Sequence, residues 1–338
     1  MAPEKCLRLA WYLRNRLVWP ILALTLLPLG GCGETYRLFH PKGPVAAAQF
    51  DIMLLDVGIM LLIIVPTTLM LCLFIWRYAK VRRAAYDPDW SHSMVIELLI
   101  WGAPVAIVAA LAVFTYQSVL AVNPYDPGVL RPSAQTAADP PAPLQVDVIT
   151  TDWQWFFIYP QQHIATIDEL VVPEGRAVRM RLTSTSVTND FFIPQLAPMI
   201  DVMPGMQTQD AFSADGPGSF TGFSADFSGA GFAWMQFATH VVTADQFNTW
   251  VASVQAGQAQ PVRGELSYAL FQKLAHPTLN IGAKPSYFPT VDAGVFNHAV
   301  ADAMQGLTYP VPGDLTEKMA PTSGPSNQRR SASNPKGS

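Results

Sequence analysis

No cysteine follows Cys72 in this 338-residue chain, and only Cys6 and Cys32 precede it. The long C-terminal portion therefore has no disulfide, no cysteine-based zinc cluster and no thiolate copper site of its own. Charge is also scarce. Asp, Glu, Lys and Arg together make up 14% of residues, while half are apolar. The mean hydropathy is +0.21. That balance is high for a wholly soluble chain and implies segments that sit in lipid. There is no basic excess either: the formal net charge is −4, so nothing favours a nucleic-acid partner.

What is present begins with an export signal. Lys5, Arg8, Arg14 and Arg16 give a basic start, and an apolar run follows from Leu17 to Leu29. This is the charged n-region and short h-region of a signal peptide. The run ends in Leu29-Gly30-Gly31-Cys32, which resembles a bacterial lipobox. Small residues let the backbone enter a peptidase, and a thiol holds the lipid, so Cys32 is the candidate lipidation site. Cys6 would be discarded with the signal, and Cys72 would remain a small apolar residue in a membrane helix.

Two long apolar runs follow. Ile52–Trp76 and Leu98–Val122 each span 25 residues, more than the roughly 20 a helix needs to cross a bilayer. Each holds one proline, Pro66 and Pro104, which a spanning helix tolerates when neighbouring groups satisfy the freed carbonyl. Arg77, Lys80, Arg82 and Arg83 lie just after the first run, placing the intervening loop in the cytoplasm. Trp76, Trp90 and Trp101 are positioned for an interfacial belt. Asp51 and Asp56 fall near the start of the first run, where a helix N-terminus favours an acid. An interfacial cap or a polar contact to a partner helix, rather than a proton path, is the expectation for Asp56.

Beyond a Pro/Ala-rich linker the pattern changes to short alternating segments. In Arg176–Leu182, Val178, Met180 and Leu182 share one face, and Arg179 and Arg181 the other; such alternation marks a half-buried strand. Val146–Thr150, Trp153–Tyr159 and Ala233–Val242 read similarly. Turns are supplied at Pro173-Glu174-Gly175 and Asp215-Gly216-Pro217-Gly218. Several short strands at this spacing predict an all-β sandwich. Thr243-Ala244-Asp245-Gln246-Phe247 reads as a capped helix start. Aromatic residues then recur at Trp250, Tyr268, Phe271, Tyr287, Phe288 and Phe296. The polar tail is expected to be disordered.

The order of these parts resembles subunit II of the haem–copper oxidases. Ile96-Glu97-Leu98-Leu99-Ile100-Trp101 with Pro104 resembles the start of that family's second helix. Asp152-Trp153-Gln154-Trp155-Phe156-Phe157 resembles its aromatic motif, with Trp153 and Trp155 as the marker residues. The sandwich is similar to a cupredoxin. In relatives that oxidise cytochrome c, this domain holds a two-copper centre, CuA. Its loop pattern is Cys-x-Glu-x-Cys-x-x-x-His-x-x-Met, with a further histidine from an earlier loop.

The matching loop here is SADFSGAGFAWM. Ser224 and Ser228 stand at the bridging-cysteine positions, Asp226 at the glutamate and Phe232 at the histidine; Met235 alone matches. Asn189 stands at the earlier histidine. Hydroxyl, amide and phenyl groups do not replace soft thiolate and imidazole ligands, so these positions are expected to bind no copper. Met199, Met203 and Met206 are loosely grouped, but neither a histidine nor a cysteine joins them, so they are expected to be packing residues. Loss of the ligands within an otherwise intact frame is the mark of the cytochrome bo-type ubiquinol oxidase subunit II.

That resemblance implies a fold class of membrane α plus β: an N-terminal two-helix transmembrane hairpin, an all-β cupredoxin-like sandwich and a small aromatic-rich helical extension. The expected divisions are a lipoprotein signal peptide (1–31), an external segment (32–51), a first membrane helix (52–76) and a cytoplasmic loop (77–97). A second membrane helix (98–122), a linker (123–143), the sandwich (144–242), the extension (243–309) and the tail (310–338) complete the chain. The resemblance implies an organising subunit of a proton-pumping ubiquinol:oxygen oxidoreductase, without catalytic residues or a bound cofactor of its own. Haem b, haem o or a, CuB and ubiquinone would lie in subunit I. Implied partners are subunits I, III and IV, membrane lipid and, through the complex, ubiquinol, but not cytochrome c. The expected location is the bacterial inner membrane, with the sandwich in the periplasm. The alternative is a membrane lipoprotein with an assembly or copper-carrier role.

Overall fold

The structure, a computed structural model, describes residues 37–79, 92–123, 142–279, 281–282, 284–313 and 315. The signal peptide and Cys32, most of the basic loop, the linker and the C-terminal tail lie outside these residues. Among the described residues, two helices are long and apolar enough to cross a membrane. Helix α1 spans Pro44–Arg77 and helix α2 spans Met94–Ala121. Their side chains are mostly apolar on every face, as expected where lipid or another membrane helix is the neighbour. Thr67 within α1 turns its hydroxyl back to the carbonyls of Ile63 and Ile64. Glu97 lies in the first turn of α2 and pairs with His92 at 3.3 Å.

Helix α1 starts eight residues before the apolar run. Pro44 sits at its first turn, where a missing N–H costs nothing. The early start corrects the placement of Asp51 and Asp56: the first turn holds no acid, and both lie further along the helix, so neither acts as its cap. At 1.5 Å per residue, the 34 residues of α1 extend about 51 Å. A hydrocarbon core is about 30 Å thick, so roughly two-fifths of α1 exceeds it. Its first turn is rooted in the sandwich, where Val45 and Ala46 are buried.

The sandwich begins with β1 (Leu144–Thr150), β2 (Trp155–Tyr159), β3 (Ile164–Ile167), β4 (Glu169–Pro173) and β5 (Val178–Ser184). It continues with β6 (Asn189–Ile193), β7 (Ala197–Val202), β8 (Thr208–Phe212), β9 (Gly218–Ser224) and β10 (Gln236–Val242). The alternation in β5 holds: Val178, Met180 and Leu182 are buried while Arg179 and Arg181 reach the surface. Trp153, expected in the second strand, precedes it, because its φ of 95° lies outside the strand region. Residues 233–235, expected in the last strand, instead belong to a 3-10 turn and its end, Phe232–Met235.

Beyond β10 come helix α3 (Ala244–Gln255), β11 (Glu265–Leu266), helix α4 (Tyr268–Leu274), β12 (Ser286–Phe288), β13 (Thr290–Val291) and helix α5 (Val295–Met304). Helix α3 starts with a capping box, Thr243 and Gln246 each bonding the other's backbone N–H, which satisfies two otherwise orphaned donors. The six-stranded sheet has the order β12-β3-β2-β1-β5-β8, and the five-stranded sheet β4-β10-β9-β6-β7. Strand β12, from the extension, thus completes the edge of the first sheet. A second apolar core of Phe156, Ile158, Phe271, Phe288 and Phe296 fastens the extension to the outer face of that sheet. The main core lies between the sheets and includes Trp155, Phe157, Phe191 and Phe237.

Candidate functional site

The candidate loop, residues 224–235, runs from the end of β9 to the start of β10 and lies over the N-terminal end of β2. Two indoles hold it. Trp153 is 4% exposed, and its Nε1–H donates to the Ser228 carbonyl at 3.0 Å. The ring fills the space beside Gly231, where a Cβ would come within 2.5 Å of three indole carbons. Gly229 adopts φ 114° against the same ring, a conformation costly for any residue with a Cβ. Trp155 is fully buried. Its backbone N–H donates to Asp168 Oδ1 at 2.9 Å, and its Nε1–H reaches the Met235 carbonyl at 3.4 Å. Its ring meets Phe191 and Phe237 at centroid distances of 5.7 and 5.0 Å. Large aromatics packed edge-to-face in this way contribute beyond their buried area.

The candidate residues do not gather around one vacant point. Asn189, Ser224 and Asp226 are brought together by hydrogen bonds. Ser224 Oγ lies 3.2 Å from both Asn189 Oδ1 and the Asp226 carbonyl, so its single proton serves these two acceptors. The same oxygen accepts the Asp190 N–H at 3.2 Å. Asn189 Nδ2 donates in turn to Thr150 Oγ1 at 3.3 Å. Ser228 contributes only its carbonyl, to Trp153; its hydroxyl is buried without a partner, an arrangement that costs about 1–3 kcal/mol. Phe232 turns to the exposed Phe227, 5.6 Å between ring centroids. Met235 is wholly buried.

Carboxylates surround the loop. Asp190 lies directly across from Asp201 in the β6–β7 pair. Burial, helped by the Asp201 carboxyl and the Asp226 charge, pushes Asp190 up to about 6. Burial also raises Asp152, against a hydrogen bond from Ser186 that lowers it. Among the described residues, no group of three or more His, Cys, Asp or Glu side chains is arranged to hold a metal ion. His240 faces Glu169 at 3.5 Å, His276 bonds the Pro310 carbonyl and His298 stacks on Tyr268. Met199 and Met206 are more than half exposed.

Several contributors escaped the sequence reading. Asp168, with φ 60°, fixes the start of β2. The glycines at 229 and 231 fit the Trp153 ring. Phe191 and Phe237 stack at 5.3 Å to floor the site. The paired Gly-x-Gly within the loop was the available signal, since two glycines so close commonly mark tight backbone approach.

Two apolar helices followed by a cupredoxin-like sandwich with a closed, tryptophan-pinned loop fit a class: subunit II of the haem–copper oxidases. Residues 160–242 match the family model for the periplasmic domain of cytochrome c oxidase subunit II. Three curated relatives are more specific. Ubiquinol oxidase subunit 2 of Acetobacter aceti is 39% identical over 87% of this chain and 92% of its own length. Cytochrome bo(3) ubiquinol oxidase subunit 2 of Pseudomonas putida is 40% identical over 76% of this chain and 77% of its own. Quinol oxidase subunit 2 of Bacillus cereus is 34% identical over 68% of this chain and 77% of its own. The chain belongs to the ubiquinol oxidase subunit 2 family. It is a subunit of a membrane-anchored oxidoreductase of the haem–copper type, and the assembly or copper-carrier alternative is not favoured.

Proposed function

We propose that this subunit organises a proton-pumping terminal oxidase that takes electrons from ubiquinol and that it carries no redox centre itself. Quinol is lipid-soluble and reaches subunit I from within the bilayer, so electrons need no copper relay outside it. Haem b, haem o or a and CuB sit in subunit I, where O2 is reduced to water. The hairpin packs on subunit I, and subunits III and IV complete the assembly. The complex lies in the bacterial inner membrane with the sandwich in the periplasm. Lipid on Cys32 adds a second anchor, five residues before the first described residue, Arg37.

The observation that carries this reading is the Asn189–Ser224–Asp226 hydrogen-bonded set. The Ser224 and Asn189 side chains are already bonded to each other, and Ser224 also to the Asp226 backbone carbonyl; such hard oxygen atoms do not suit a soft binuclear copper centre. The test is metal and haem analysis of the separated subunit beside the whole complex, with oxidase activity measured on ubiquinol and on reduced cytochrome c. We expect no copper in this chain, haem in its partner and turnover on ubiquinol alone. Stoichiometric copper in the separated subunit refutes the reading. Mass spectrometry of the mature N-terminus tests the anchor: an unmodified Cys32 removes it.

A further inference from the structure

The root of α1 on the sandwich is built along one strand. Strand β8 ends the six-stranded sheet, and a strap leading into α1 covers its outer side. Asp215, just past β8, donates its N–H to the Lys42 carbonyl at 2.9 Å, and Lys42 N–H donates to the Gln195 carbonyl at 2.8 Å. Gly43 lies so close to the Ser213 carbonyl that a Cβ would overlap it. Val45, in the first turn of α1, packs on Ala211 of β8.

The inner side of the same strand holds an anomaly. Asp210 is opposite Met180 in register, on the face where Val178 and Phe212 also pair. Its side chain therefore points into the core, and the residue is 1% exposed. Oδ1 accepts the Ala211 N–H at 2.7 Å, and Oδ2 has no hydrogen-bond partner. The charged groups on the elements packed against β8 lie elsewhere. Arg179 and Arg181 of β5 are on the face opposite Met180. Asp201 of β7 is exposed, as are His40 and Lys42 of the strap and Asp215. Among the described residues no cation compensates this carboxyl, so burial pushes it up to about 8 and it rests as a neutral acid.

We infer that Asp210 is a protonation-dependent latch: as a neutral acid it lets β8 lie closed on the core with α1 rooted, and its ionisation loosens β8, the strap and the first turn of α1 together. In the step the O–H bond of the carboxyl breaks and the proton passes to external water. The anion left behind must reach solvent, because an isolated buried carboxylate is costly. Its shortest route is outward movement of β8, which has a sheet partner on one side only. The inference concerns the fold of this chain and stands whether or not the loop is free of copper.

Amide hydrogen exchange of the full chain in its purified oxidase complex, between about pH 6 and about pH 9.5, tests it, with rates normalised for base catalysis. Protection of peptides covering 42–47 and 208–215 should fall more than about ten-fold through about pH 8, with β1 and β2 unchanged. Asp210→Asn and Asp210→Leu should both flatten that dependence, and Asp215→Asn should leave it as it was. A flat wild-type profile overturns the inference, as does a dependence that survives at Asp210→Asn or disappears at Asp215→Asn. If neither Asp210 variant assembles, infrared spectroscopy of the isotope-labelled subunit decides. A protonated carboxyl band that bleaches in step with the loss of protection supports the latch, and its absence at neutral pH overturns it.

Discussion

Replacing Gly231 with alanine tests whether the Trp153 indole shapes the candidate loop. The new Cβ would fall within 2.5 Å of three indole carbons, where carbon atoms prefer about 3.5–4.0 Å. Something must move by about 1 Å, and the indole is held in place by its 3.0 Å bond to the Ser228 carbonyl. Overpacking of this kind costs about 1–3 kcal/mol. Breaking the bond inside a buried site adds about 1–3 kcal/mol. The total, about 2–6 kcal/mol, corresponds to a Tm lower by roughly 4–24 °C, given about 2–4 °C per kcal/mol for a unit of this size. Thermal unfolding of the full chain in detergent, followed by tryptophan fluorescence, measures it. A double-mutant cycle isolates the cause: with Trp153→Ala in place, Gly231→Ala should cost less than about 0.5 kcal/mol. An equal cost in both backgrounds refutes the claim that the indole claims this space.

Three further outcomes are expected. Arg181→Ala removes both donors to Asp147, at 2.7 and 2.5 Å, and the cation 4.6 Å from the Phe296 ring. With the guanidinium partly exposed, the loss is about 1–3 kcal/mol, and limited proteolysis should release the extension first. Thr243→Ala removes half of the capping box on α3 and should cost about 1 kcal/mol, measured by chemical denaturation. Asp190 is held at about 6, above its ordinary 3.8, so its native environment favours the protonated form. The repulsion with Asp201 is absent below about pH 4 and grows as pH rises through about 6. Asp190→Asn should therefore stabilise the sandwich at pH values above about 6 and have no such effect at about pH 4; equal effects at both refute the pairing.

The two membrane helices were legible because each is an apolar run longer than a bilayer requires, a property of composition alone. Their ends were less so. The start of α1 at Pro44 depends on Val45 and Ala46 finding buried positions on a sandwich formed more than a hundred residues later. The alternation in β5 and the Thr243–Gln246 cap were readable because both are local. The joining of β12 to β3 was not, because two or three residues carry no period, and their register is set by the sheet they meet.

The candidate positions divide in the same way. The absence of thiol and imidazole at 189, 224, 228 and 232 is a matter of residue identity, and no fold changes it. That the Ser224 hydroxyl donates to Asn189 Oδ1, that Ser228 leaves its hydroxyl unpartnered and that Trp153 lies beneath Gly231 are facts of juxtaposition between segments as much as 78 residues apart. By itself, then, the chain's order of residues determined two helices apolar enough to cross a bilayer, a β-sandwich and the chemistry its loop lacks. Only tertiary structure decided where the extension docks, how the loop closes and that Asp210 is buried within the strand that roots α1. The physical reason is that identity and period act locally, whereas burial and hydrogen-bond partnership exist only once distant segments have met.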